Sequence, residues 1–296
     1  MIKIHKNDIS AYLWLIPSLL LMSVMIAVPV FTVFKMSMVE ISKSGIIKSF
    51  NNFENFKNVF ASESFRKTLA NTLIWTVSVV GISTVLGIII GLVLNLDFPG
   101  RKIMRAIVVF PWATSLVIQA LIWKYILSAE YGSLNVILYK IGVISSYKNW
   151  TPTASAFFAW ECWVGIFVTV PFVTFCVLSG LQSIDNSYYE SAEVDGASFF
   201  KKLFTITLPL LKKNLTVSTV LNIIYVFNSF PIIWTITKGD PADQTHTIAT
   251  YIYDLAFYNR KSGDAAAVSV IGFVILCIFA TAYMMMTIRS EKEEDI

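Results

Sequence analysis

The chain has 296 residues, of which 56% are hydrophobic and only 14% charged, against the roughly one quarter charged that is typical of a soluble domain. Its apolar residues gather into blocks near the twenty or so needed to cross a hydrocarbon layer about 30 Å thick at about 1.5 Å per residue, which excludes a water-soluble globular fold. The net charge of +4 lies mostly between those blocks, so it points to anionic lipid headgroups and not to nucleic acid.

In chain order, residues 1–12, with Lys3 and Lys6, precede an apolar run from Leu13 to Phe34. That run is too long for the apolar core of a signal peptide and no small-residue cleavage site follows it, so a retained first helix is expected. Next comes a loop with Phe50, Phe53, Phe56 and Phe60 at helical spacing, which predicts a short amphipathic helix against the bundle or the headgroups. Further spans are predicted at Leu69 to Leu94, Ala106 to Leu127, Thr153 to Gly180, Leu215 to Ile236 and Ala265 to Ile288, followed by a tail at 289–296. Pro17, Pro29, Pro111, Pro171 and Pro231 fall in or near these spans, where neighbours can satisfy the freed carbonyls. The prediction is an all-α integral membrane protein of about six helices, a single bundle over 13–288 with both termini on one side. With those termini inside, 11 Lys and Arg occupy 63 inner residues and 11 occupy 88 outer ones. The short loop holding Arg101, Lys102 and Arg105 is the best single indicator that this side is cytoplasmic. Cys162, Cys176 and Cys277 lie inside apolar blocks without metal-ligand spacing, as small core residues do.

The longest inner loop, about 181–213, is the most specific stretch. A helix-competent run from Glu190 to Val194 meets a break at Asp195 and Gly196, and a second apolar-faced run ends at Pro209. This arrangement resembles the cytoplasmic loop of binding-protein-dependent ABC importer permeases. The pattern there is Glu-Ala-Ala, three residues, Gly, nine residues, Ile, one residue, Leu-Pro. Glu190, Ala192, Gly196, Ile206, Leu208 and Pro209 stand at the matching places, with Ser191 for the first Ala.

Other passages are similar to the maltose and glycerol-phosphate type of permease within that superfamily. They are Asn55-Phe56-Lys57 with Leu69 to Leu73, Phe110-Pro111-Trp112 with Trp123-Lys124, Leu178 to Ile184, and Thr237 to Pro241 with Thr247 and Tyr251 to Tyr253. Asp240 replaces a usual Gly, and the resemblance covers roughly residues 10 to 288. It implies a type I importer permease bundle of the MetI-like fold with a cytoplasmic coupling helix, in a bacterial or archaeal inner membrane. Expected partners are a second permease subunit, a dimer of ABC ATPases and an extracytoplasmic sugar-binding protein. ATP and Mg would be used by the ATPases alone, since no G-x-x-x-x-G-K-[ST] loop occurs in this chain and it needs no cofactor or metal of its own. Glu190 is then a polar anchor, with Asp195 and Gly196 the bend and Pro209 the stop before the fifth span.

Candidates for a carbohydrate path lie on that span: Ser218, Asn222, Tyr225 and Ser229 share one helical face, with Asn228 to the side. Hydroxyls and amides there would exchange hydrogen bonds with a sugar, or equally with other helices. Gln119, four residues from Ser115 on the third span, offers the same choice. Glu161 is the one acid well inside a predicted span, hence a functional candidate. Its flanking Trp160 and Trp163 also fit a helix that begins later and leaves the acid at the interface. The rival readings are an ATP-independent secondary transporter or channel, which needs buried coupling-ion sites, and a non-transporting scaffold. An intramembrane enzyme is disfavoured, since His5 and His246 are the only histidines and no paired acids lie within spans.

Overall fold

The structure, a computed structural model, describes residues 6–294, with side-chain surroundings for 14–285. Lys3 and His5 lie outside the described residues, as do the side chains of the 289–296 tail. Helix α1 (Lys6–Ser37) is followed by a hairpin of β1 (Val39–Ile41) and β2 (Ile47–Phe50), then α2 (Glu54–Ala61) and α3 (Glu63–Asn95). After these come α4 (Arg101–Ala113), α5 (Leu116–Ile126), α6 (Ser133–Lys140), α7 (Ala154–Gln182), α8 (Asn186–Val194) and α9 (Phe199–Lys202). A π turn, Leu203–Thr207, leads into α10 (Leu208–Phe227) and α11 (Pro231–Ile236). Then α12 (Ile248–Tyr253), a second π turn (Asp254–Tyr258) and α13 (Ser262–Glu294) complete the described residues. Among the described residues, five helical stretches are long and apolar enough to cross a membrane, or six if the bent pair of α4 and α5 is one span.

Two predicted spans need correction. Residues 106–127 are not one helix: α4 and α5 meet at 97°, because the ladder stops at Thr114 and Ser115, just past Pro111. The fifth helical stretch starts earlier than Leu215, running from Phe199 through the π turn into α10 at Leu208, and it breaks at Asn228–Phe230, so Pro209 lies in the first turn of α10 and does not stop the helix. A proline in the first helical turn costs no hydrogen bond, and the wide π turn before it absorbs the displaced ladder.

Contacts divide the chain into two compact units, one of residues 1–62 and 252–273 and the other of 63–251 and 274–296. In the first, α2 is the short helix expected from the Phe spacing; it buries Asn55 and Val59, while Phe53 and Phe60 remain exposed. Asn55 donates to the carbonyls of Ser37 and Val39 at 3.0 Å each, tying the end of α1 to α2. Gly263 leaves room for that amide, since a Cβ there would come within 2.7 Å of it. In the second, α3 and α7 pack closely through Gly87, Gly91 and Gly165, where a Cβ would meet Val173, Val177 and Trp75 respectively at under 3 Å. Small residues permit such approach where lipid supplies no hydrophobic drive. Trp75 Nε1 then donates to the Val226 carbonyl at 2.8 Å and joins α10 to the pair.

Candidate functional site

The bent segment of α8 and α9 is built from local rules. The Asp185 carboxylate accepts the Ser187 N–H at 2.9 Å and opens α8. That backbone hydrogen bond, with a side-chain one from Ser187, holds its carboxyl below the usual range. The helix ends where Gly196 adopts φ +69°. Its N–H donates to the Glu193 carbonyl at 3.0 Å, and the Ala197 N–H to the Ala192 carbonyl at 2.8 Å. These are the two bonds of a Schellman close, and only glycine takes the left-handed position without strain. Ser198 caps α9 through the Lys201 N–H. Lys202 reaches back to Glu193 at 2.7 Å, and Tyr189 OH lies 3.1 Å from Thr207 Oγ1, so both arms of the bend are fixed.

Its free surface is apolar at the bend. Val194 is 89% exposed, and Phe199, Phe200 and Phe204 are each more than half exposed. Glu190, Asp195, Gly196 and Pro209 are exposed, while Ala192, Ile206 and Leu208 are half-buried. Glu190 has no partner among the described residues. α8 is otherwise polar, with no buried residue.

The path candidates separate. Asn222 and Tyr225 line one cavity of about 270 Å³ with Trp112, Thr169 and Phe172. Ser218 is buried and bonds back to Leu215, whereas Asn222 donates to Ser83 on α3 at 3.3 Å and leaves its Oδ1 unpartnered. Ser229 does not continue the face, since α10 ends before it; Asn228 is exposed and bonds to Ile224. Gln119 is buried against Thr114, and Ser115 sits in the break rather than on the same helix. Lys124 finds the Thr235 carbonyl at 3.2 Å. Glu161 is not at a helix start: α7 begins at Ala154 and the acid is fully buried, accepting from Thr237 at 2.7 Å.

A larger cavity of about 740 Å³ lies between α3 and the Ala154 end of α7, lined among others by Lys67, Asn71, Ser78, Phe158, Trp163 and Gln244. A second, of about 470 Å³, shares Lys67 and Gln244 with it and adds Glu63, Ser64, Ala242 and Asp243. Asn71 holds the loop at this rim, donating to the carbonyls of Gln244 at 2.7 Å and His246 at 3.2 Å. Thr72 accepts the Ile248 N–H at 2.9 Å. The only sequence signal for this arrangement is the family passage that contains Asn71 and Thr72, because the bonds span more than 170 residues.

The family model described as "Binding-protein-dependent transport system inner membrane component" matches residues 83–290. A probable ABC transporter permease protein of Brucella suis biovar 1 is 42% identical over 97% of this chain and 99% of its own length. The trehalose/maltose transport system permease protein of Thermococcus litoralis is 35% identical over 92% of each chain. Among solved structures, a chain of a bacterial alginate ABC transporter, in complex with its pentasaccharide-bound periplasmic protein, superposes with a TM-score of 0.82 at 25% identity. That match covers 96% of both chains.

Proposed function

The chain belongs to the family of binding-protein-dependent transport system inner membrane components, and from that membership we propose that it is the carbohydrate-passing permease subunit of an ABC importer. The observation that carries the mechanism is the bent α8–α9 segment, crossed by the Glu193–Lys202 contact, with Val194, Phe199 and Phe200 bare at its apex. A separate ATPase covers this surface, and ATP and Mg are consumed there. For nucleotide to drive transport, the ATPase must hold the bend differently in its two states, since only differential interaction shifts a conformational equilibrium. The Glu193–Lys202 and Tyr189–Thr207 links make α8, α9 and the root of α10 one lever. Movement at the bend therefore reaches Asn222 and Tyr225 on α10 without loss in a flexible joint.

On this reading the termini and the bend face the cytoplasm, and the Ala154 end of α7 faces the solute-binding protein. A second permease of the same family completes the path. Carbohydrate is the cargo class supported by the relatives, whose names include trehalose/maltose transport. The cavity of about 270 Å³ fits it, as aromatic rings beside one amide and one phenol suit a sugar's apolar face and hydroxyls. The test is uptake by the reconstituted complex. Uptake should require ATP and the ATPase and survive collapse of the proton gradient; uptake that persists without the ATPase and stops with the gradient would establish a secondary transporter instead.

A further inference from the structure

Glu161 takes no part in the mechanism above, yet it is the acid buried deepest among the described residues, with no exposed surface inside a membrane-spanning helix. One carboxylate oxygen accepts from the Thr237 hydroxyl at 2.7 Å, and the other has no partner. Burying a carboxyl with so few bonds is costly. Its single partner shows where it acts. Thr237 and Thr245 close the two ends of one loop, their hydroxyls 2.8 Å apart. Either hydroxyl can be the donor in that contact; Thr245 Oγ1 also donates to the Asp240 carbonyl at 2.9 Å, and Thr237 Oγ1 lies 3.3 Å from the Ile233 carbonyl. The Gly239 N–H also donates to Thr237 Oγ1.

The loop thus closed is strained. Lys238, Ala242 and Asp243 all have φ between 53° and 58°, a left-handed region that such residues occupy only when their surroundings over-determine it. Its tip supplies Ala242, Asp243 and Gln244 to the polar cavity of about 470 Å³, and Gln244 also borders the larger one. Asn71 fastens the loop to α3 through the Gln244 carbonyl, and Glu161 is its fastening to α7.

The geometry points to Glu161 as a positioning residue: through Thr237 and Thr245 it fixes the 237–245 loop as one wall of a polar vestibule that receives the hydroxylated solute ahead of the α10 cavity. The solute contacts Gln244 and Lys67 and never Glu161. This inference rests on the carbohydrate-permease reading for its cargo, whereas the loop's fixation can be measured without any cargo.

The test uses the full reconstituted importer, in a background where Cys162, Cys176 and Cys277 are replaced and Gln244→Cys is added. Thr237→Val and Glu161→Ala should each change the thiol-labelling rate at position 244 about three- to tenfold, the effect of one lost buried hydrogen bond. The double variant should do no more than either alone, and Thr237→Ser should restore the parent rate. In the cysteine-retaining protein the same substitutions should raise the half-saturating concentration of liganded binding protein and leave maximal uptake unchanged. Labelling and half-saturation that stay at the parent values in folded Thr237→Val, or a Thr237→Ser no better than Val, would overturn the role. If the importer moves no saccharide at all, the transport reading fails while the labelling arm still decides the loop's fixation.

Discussion

Gly196 shows how a single residue's backbone sets the bend between α8 and α9. Its left-handed φ closes α8, and a Cβ there would meet nothing within 4 Å. Gly196→Ala should therefore cost only the backbone strain, roughly 1–2 kcal/mol, and keep most uptake. Gly196→Arg adds a long cation beside the exposed Val194 and Phe199, and it should leave the protein inserted but uncouple ATP turnover from uptake, measured as their ratio in vesicles. Asn71 acts on folding instead: Asn71→Ala abandons two loop carbonyls and should cost about 1–3 kcal/mol, read as a lower unfolding temperature in detergent. Gly196 was legible in the sequence because a helix close is a local event. Glu161 stood out in the sequence as an acid within a predicted span, but its partner is 76 residues away, so nothing beside it in the chain could say that its carboxyl is buried inside the protein.

At the scale of elements, hydropathy marks where lipid begins and ends but is blind to breaks within a span. The residues from Ala106 to Leu127 read as one continuous apolar block and fold as two helices at 97°, and the predicted fifth span conceals both its early start at Phe199 and its break after Phe227. The hairpin of β1 and β2 escaped notice for a related reason, its strands being only three and four residues long. Periodicity did select α10, where Asn222 and Tyr225 reach one cavity while Ser229 lies past the end. Asn222→Ala and Tyr225→Ala should each weaken apparent substrate affinity several-fold without changing basal ATP turnover, and unchanged affinity in both would remove that cavity from the path. The α8–α9 link makes a further prediction. A hydrogen bond from Lys202, and then its charge, hold the Glu193 carboxyl below the usual range, so the contact is complete above the ordinary carboxylate value and fades only as pH falls through the lowered one. Coupling should accordingly be flat from neutral to mildly acidic pH, and Glu193→Gln should loosen it across that whole window.

For the whole molecule, the motif at residues 190–209 carries more information than composition, because it specifies a local shape, the bend closed at Gly196. On the proposed function, a chain with this fold and a bare aromatic apex works with a motor that lies in another polypeptide. The direct test is photocrosslinking from position 194, the most exposed apolar residue of the bend, in the complete, transporting complex. The prediction is an adduct between this chain and the ATP-binding subunit whose yield changes between the ATP-bound and nucleotide-free states; a complex that still transports while position 194 gives no adduct with any ATPase in either state would contradict it.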